Sequence, residues 1–282
     1  MKCMEKAYAK VNLTLQVGSR HPDGYHAVMS VMQRISLWDT VTVERGTGRD
    51  ILLCSVPVTE SADDNLCMKA LRAFFAETGI KSDGVTITLE KHIPVQAGLG
   101  GGSSDAAAVL RALRTLYAPD ISDGRLETLA ARLGSDVPFF IRGGTQLATG
   151  RGEVVSPLPQ LAAGWFVVVK PDEGYSTAEM YRRLDEPGSL LVRNSRYMQD
   201  AVAANNVHAV AVELHNSFER VVPKDSSLRT IKDALRAQGA LGTLLSGSGS
   251  AVFGLFDDQS AAAAAAVALK KTWPWVFVAR PV

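Results

Sequence analysis

From Ala7 to Val17 apolar and polar residues alternate. Ala7, Ala9, Val11, Leu13, Leu15 and Val17 fall on one face, and Tyr8, Lys10, Asn12, Thr14 and Gln16 on the other. A period of two is that of a β-strand, so Lys10 and Asn12 are expected to project the same way. His21-Pro-Asp-Gly-Tyr25-His26 reads as a turn, because Pro and Asp-Gly supply the φ values of a chain reversal, and a strand-like stretch follows through Val43. The period then lengthens. Leu66, Ala70, Leu71, Phe74 and Phe75 mark a core helix that starts near Asp63 or Asp64 and stops at Gly79. Val85 to Lys91 is a further strand. Beyond His92-Ile-Pro94, the segment Val95-Gln-Ala-Gly-Leu-Gly-Gly-Gly-Ser-Ser-Asp105 leads into an alanine- and leucine-rich helix through Leu116.

Another helix spans about Leu126 to Leu133 and ends at Gly134. Ser135-Asp136-Val137-Pro138 and a glycine-punctuated segment through Gly152 come next. The elements after that form a second set: a strand from Trp165 to Lys170, a helix capped by Ser176 with Glu179 at capping-box spacing, and helices near 206–214 and 226–237. Strands at 241–245 and 251–256, separated by Ser246-Gly-Ser-Gly-Ser250, precede a helix at 258–271 and a last strand at 274–280. This succession predicts an α+β sandwich of the split βαβ kind. A division just after Gly152 gives two domains, 1–155 and 156–282, in keeping with a chain of 282 residues.

Composition narrows the function classes. Thirty basic against twenty-nine acidic residues leave a formal charge of +1, without the basic excess that nucleic-acid binding requires. Cys3, Cys54 and Cys67 are odd in number and have no CxxC spacing, which speaks against a disulfide set or a zinc site and suits a reducing cytoplasm. Met-Lys-Cys-Met-Glu-Lys runs straight into a strand pattern without the apolar core of a signal peptide, and the alanine run at 261–269 is too short to span a bilayer. A soluble cytoplasmic protein is expected, without nucleic-acid or membrane partners, as a monomer or weak homodimer.

The strongest local signal for chemistry is Gly98-Leu-Gly-Gly-Gly-Ser-Ser104. Glycines let backbone approach phosphates closely, and the helix that follows offers unpaired N–H groups to an anion. The segment lacks the lysine of a Walker loop and the spacing of a dinucleotide fingerprint. Its plain alternative is a flexible turn with Ser103 or Ser104 as an N-cap. Lys10 could keep a carboxylate ionised and stabilise charge at a reacting hydroxyl, or be solvated. Asp136 could accept a proton or cap the helix starting at Pro138. Tyr25, His26 and Tyr175 suit a flat heterocycle, or are packing residues near turns. Ser246 to Ser250 is either a tight hairpin or a second backbone surface near phosphates.

Taken together, Ala7-Tyr-Ala-Lys-Val-Asn-Leu13, Pro94 to Ser104, Gly134-Ser-Asp-Val-Pro-Phe-Phe140 and Leu245-Ser-Gly-Ser-Gly-Ser-Ala251 resemble the motifs of the GHMP kinases over nearly the whole chain. The resemblance implies an α+β fold with an N-terminal ribosomal-S5-like, ATP-binding domain and a C-terminal ferredoxin-like domain, with the active site in the cleft between them. It implies ATP and magnesium as cofactors. Asp136 matches the catalytic base and Lys10 its orienting lysine. Gly98, Gly100, Gly101, Gly102, Ser103 and Ser104 match the phosphate loop, and Asn65 and Lys91 match positions near the adenine.

Lys10-Val-Asn-Leu together with Pro22-Asp-Gly-Tyr-His26 is most similar to the branch whose substrate is a cytidine diphosphate derivative of methylerythritol. In that reading Asn12 fixes the reacting end, Tyr25 and Tyr175 sandwich the cytosine, and His26 reads its edge. Two departures are Gln96-Ala97, where relatives often carry small residues, and Met32, where an aromatic sometimes stands. The alternatives are a kinase of the same family for homoserine, mevalonate or a sugar, and a non-catalytic nucleotide-binding module of the same fold.

Overall fold

Two long strands, β1 (Lys2–Arg20) and β2 (His26–Arg45), run from one packing unit of the protein into the other. The computed structural model describes residues 1–20, 24–59, 61–186 and 195–282. His21, Pro22 and Asp23 of the expected turn lie outside the described residues. One unit comprises residues 1–9, 37–95 and 100–143, the other 10–36, 96–99 and 144–282. The order of elements along the chain suggested one cut near 155; the packing is interleaved, because β1 and β2 each contribute to both units.

In the first unit β3 (Ile51–Cys54) pairs parallel to β4 (Val85–Glu90), which runs antiparallel to β2 with Val41 opposite Leu89 and Val43 opposite Ile87. These four side chains are buried, as period-two alternation requires of a sheet with one face to the core. Helices α1 (Leu66–Thr78), α2 (Gly101–Tyr117), α3 (Asp123–Ala131) and α4 (Phe139–Arg142) complete it. Ala106, Ala107 and Ala108 are fully buried, small enough for α1 to pack closely on α2. The stop at Gly79 is as expected: its φ of +68° turns the chain while its N–H donates to Phe75 O. The start is not at Asp63 or Asp64. Those residues form a separate 3-10 turn capped by Ser61, and Asn65 caps α1.

In the second unit β5 (Thr145–Thr149) pairs with β2, Val31 opposite Leu147, and forms a hairpin with β6 (Val154–Pro157). A separate antiparallel sheet contains β7 (Trp165–Lys170), β9 (Gly242–Leu245), β10 (Val252–Phe256) and β11 (Trp275–Ala279) in the order β11-β7-β10-β9. Fourth, first, third, second is the split βαβ order. The short β8 (His215–Asn216) lies parallel to β1. Helices α5 (Thr177–Leu184), α6 (Arg196–Ala203), α7 (Val207–Glu213), α8 (Leu228–Ala237) and α9 (Gln259–Leu269) connect the strands. Val167, Val169, Ile231, Leu235, Val252, Ala265 and Val276 share one buried core with Leu15 and Val17 of β1.

The capping box expected at α5 does not form. Ser176 stands at the cap position without a side-chain capping hydrogen bond. The Glu179 carboxylate instead accepts from Arg182 at 2.7 and 2.8 Å and from Arg183 at 2.9 Å. These guanidiniums hold Glu179 well below the usual carboxylate range, at about 2. No helix among the described residues is long and apolar enough to cross a membrane.

Candidate active site

The polar face of β1 is buried over its middle, and its residues satisfy one another. Lys10 and Asn12 are both buried. Lys10 Nζ donates to Asn12 Oδ1 at 2.5 Å, Asn12 Nδ2 to Ser30 Oγ at 2.8 Å, and Ser30 Oγ to Thr14 O at 2.6 Å. Burying an ammonium is costly unless it is hydrogen-bonded. Asn12 is a neutral partner, so it directs the lysine without neutralising it. The two residues do project together, as the alternation predicts.

Lys10 also sits against the two glycine-bearing segments of its unit. Its backbone N–H donates to Leu99 O at 2.9 Å. A Cβ built on Gly247 would lie 3.3 Å from Lys10 Nζ. Ser246 Oγ donates to Gly98 O at 3.0 Å, and Ala251 N to Ala97 O at 3.1 Å. Ser246 to Ser250 is thus a hairpin loop, since Leu245 pairs with Val252 across it, and also a backbone surface laid on residues 96–98. Asn216, which the sequence reading missed, anchors that loop by donating to Leu245 O and Gly247 O, both at 2.8 Å.

In the other unit the loop continues into α2. Gly100 is the N-cap, with φ +73° and no side-chain cap. Ser103 and Ser104 therefore lie inside the first turn and are not caps. The first-turn N–H groups of Gly101, Gly102 and Ser103 have no intrahelical acceptor and carry the positive end of a 17-residue helix dipole. Asn65, expected near the adenine, is buried and uses its side chain to cap α1, accepting from Cys67 N at 2.9 Å. Asp136 is half-buried in the turn between α3 and α4, and the cap position of α4 is held by Pro138.

Lys91, also expected near the adenine, has its ammonium between two carboxylates. Nζ donates to Asp39 Oδ2 at 2.5 Å and to Asp105 Oδ2 at 2.8 Å. Burial works against the Lys91 charge, but Asp105 and Asp39 outweigh it and leave its pKa raised. For Asp105, burial followed by the charge of Asp39 raises the carboxyl to about 7 against the pull of Lys91. Nothing in the sequence pattern marked Asp39 or Asp105.

Of the aromatic candidates, Tyr25 is about half exposed, with the Arg151 guanidinium 3.8 Å above its ring centroid. Next to it His26 is buried, its ring 5.3 Å from that of Tyr181 on α5. Tyr175 has another setting. Its hydroxyl donates to Glu173 Oε1 at 2.9 Å, its ring fills the space beside Gly249, and burial pushes it up to about 12. The aromatic partner brought to His26 is therefore Tyr181, a residue the sequence reading did not single out.

Comparison with known proteins places this geometry. The family model for the GHMP kinases N terminal domain matches residues 65–144, and that for the GHMP kinases C terminal region matches 198–274. The chain belongs to the GHMP kinases. This member is 43% identical over 258 residues to the 4-diphosphocytidyl-2-C-methyl-D-erythritol kinase of Symbiobacterium thermophilum, covering 91% of each chain. It is 40% identical to that of Desulfitobacterium hafniense, over 91% of this chain and 88% of the relative. A crystal structure of 4-(cytidine 5'-diphospho)-2C-methyl-D-erythritol kinase superposes with a TM-score of 0.84 at 35% identity, covering 99% of this chain and 100% of the other. A homoserine kinase from Cytophaga hutchinsonii, at 18% identity and TM-score 0.77, shares the fold.

As a GHMP kinase the protein is an ATP-dependent phosphotransferase. The uncapped start of α2 supplies N–H donors suited to phosphate oxygens, and Lys10 a fixed cation suited to charge developing on an oxygen.

Proposed function

We propose that the protein transfers the γ-phosphate of ATP to a hydroxyl of 4-diphosphocytidyl-2-C-methyl-D-erythritol, a step in non-mevalonate isoprenoid precursor synthesis. The observation that carries this is the end-to-end likeness to kinases of that name, at 35–43% identity and TM-score 0.84. Residues 1–155 act as the ATP-binding part and 156–282 as the C-terminal part, a division supported by the two family-model matches.

Phosphoryl transfer asks little covalent chemistry of a protein, so alignment and charge stabilisation carry it. In this reading Asp136 takes the proton of the substrate hydroxyl while Lys10, directed by Asn12, stabilises the nucleophilic oxygen. The α-to-γ phosphates lie on Gly98, Gly100, Gly101, Gly102, Ser103 and Ser104, with Asn65 and Lys91 toward the adenine. Magnesium would accompany the nucleotide, with Ser104 as its contact through the hydroxyl or a water. Among the described residues no group of three His, Cys, Asp or Glu is placed to hold a metal. The ion neutralises phosphate charge when bound. Tyr25 and Tyr181, with His26 between them in the fold's sequence order, form the cytosine clamp; Tyr181 takes the place assigned to Tyr175 from sequence. The three cysteines are unpaired thiols, in keeping with a reducing cytoplasm.

The test is phosphate transfer from magnesium-ATP to the cytidyl substrate, homoserine, mevalonate and galactose, with wild type and Asp136→Ala equally folded. Turnover of the cytidyl substrate alone, with kcat reduced about 100- to 10,000-fold in the variant, is expected. Turnover of another alcohol would keep the kinase and remove the cytosine clamp. ATP binding without transfer to any would overturn the catalytic reading.

A further inference from the structure

Asp39 is fully buried on β2, in a stretch where a lone acid would ordinarily face water. Its two oxygens are fully used. Oδ1 accepts the backbone N–H of His92 and, at 2.8 Å, that of Ile93; Oδ2 accepts from Lys91 Nζ. One carboxylate therefore fixes three consecutive residues, 91–93, by two backbone bonds and one charged side chain. Charge-assisted bonds of this kind are the strong ones.

The strap so fixed is pressed on the start of α2. A Cβ on Gly101 would lie 3.1 Å from Ile93 Cγ2 and 3.3 Å from Lys91 Nζ, so the helix begins in direct contact with both residues. Lys91 Nζ also reaches Asp105 Oδ2, one turn further along α2. A cation beneath a helix N-terminus opposes the dipole unless it is paired. Here two carboxylates pair it, and the ammonium becomes a tie between β2, the strap and α2.

We infer that Asp39 is a positioning residue for nucleotide binding: acting through Lys91 and the 91–93 backbone, it sets where the first turn of α2 presents its N–H groups to phosphate. This rests on the reading that the start of α2 takes the ATP phosphates. Asp39 is fully buried and offers no surface to a ligand.

Steady-state kinetics of Asp39→Asn test it. Asparagine keeps the shape and the acceptor for His92 and Ile93 but turns an N–H toward Lys91. The expected result is KM for ATP raised about tenfold, with KM for the alcohol unchanged and kcat within about twofold. In a Lys91→Met background the same substitution should have little further effect on KM for ATP, because its path runs through Lys91. A folded Asp39→Asn with lower thermal stability but unchanged KM for ATP, or effects that simply add in the double variant, would overturn the inference. Gly102→Ala separates the two readings. If it leaves KM for ATP unchanged, the phosphate assignment fails; if it raises KM while Asp39→Asn does not, only the role of Asp39 fails. Should Asp39→Asn not fold, Ile93→Ala loosens the same contact from the strap side and must raise KM for ATP.

Discussion

His26 Nε2 lies 3.2 Å from Asp185 Oδ1, at the C-terminal end of α5, while Nδ1 of the same ring lies 2.9 Å from Gly18 O. Each ring nitrogen faces an oxygen of the protein, so the imidazole edge is committed internally. The side chain is held in position; on the proposed reading, recognition of a base would fall to the backbone at His26 and to the neighbouring rings. Asp185→Ala removes one anchor of the ring. KM for the cytidyl substrate should rise about fivefold, the value of one hydrogen bond, with KM for ATP unchanged. Equal shifts in both constants would show that Asp185 supports the fold generally.

Tyr181 and Tyr175 should part company kinetically. Tyr181 stands beside His26 and packs edge-on against Phe218, with centroids 5.0 Å apart at 90°. If it stacks on cytosine, Tyr181→Leu costs about 1 kcal/mol of substrate binding, or roughly fivefold in KM, and Tyr181→Phe costs little. Tyr175→Phe loses the hydroxyl's bonds to Glu173 Oε1 and Ser226 and keeps the ring. It should lower stability by about 1 kcal/mol and leave KM for the cytidyl substrate alone. Kinetic sensitivity at 175 in place of 181 would restore the assignment made from sequence.

The sequence disclosed what is periodic or locally punctuated. The alternation around Lys10, the stop at Gly79 and the fourth-first-third-second sheet were all legible, because each follows from a repeat or a turn residue within a few positions. β3, β5 and β6 were not. They are four or five residues long, too short for a period, and β5 is defined by pairing with β2 over 110 residues away. The site divides likewise. Glycines and Lys10 carry motifs, whereas Asp39 acquires its role only by meeting Lys91, 52 residues on. Glu179 misled because three-residue spacing to Ser176 is also the spacing that leaves it next to Arg182 and Arg183.

Gly98 and Gly102 are glycines for different reasons. At Gly98, φ is +72° and a Cβ would lie 2.0 Å from Ser246 O, so Gly98→Ala must displace the loop and should reduce both stability and ATP binding. At Gly102 the nearest atom to a Cβ is Leu66 Cδ1 at 3.9 Å, and the backbone is helical. Gly102→Ala should therefore stabilise the fold by about 0.5–1 kcal/mol, through helix propensity, while raising KM for ATP because a methyl group enters the phosphate surface. Melting temperature and KM moving in opposite senses is the signature; an alanine that stabilises without changing KM would place the phosphates elsewhere.

The last prediction concerns pH. Asp105 is buried beside Asp39 and Lys91, one of its oxygens has no hydrogen-bond partner, and burial raises it from its ordinary 3.8 to about 7. A carboxyl with a folded pKa above its unfolded one holds its proton more tightly in the folded protein. Its contribution to stability is therefore greatest below about pH 4, declines through the interval from 3.8 to about 7, and is flat above it. Asp105→Asn removes that titration while keeping the size of the side chain. Relative to this variant, wild type should lose on the order of 4 kcal/mol between pH 4 and pH 8. Urea denaturation of both proteins across that range measures the difference. Parallel curves would mean that Lys91 keeps Asp105 ionised throughout, and that the pair is a plain buried salt bridge.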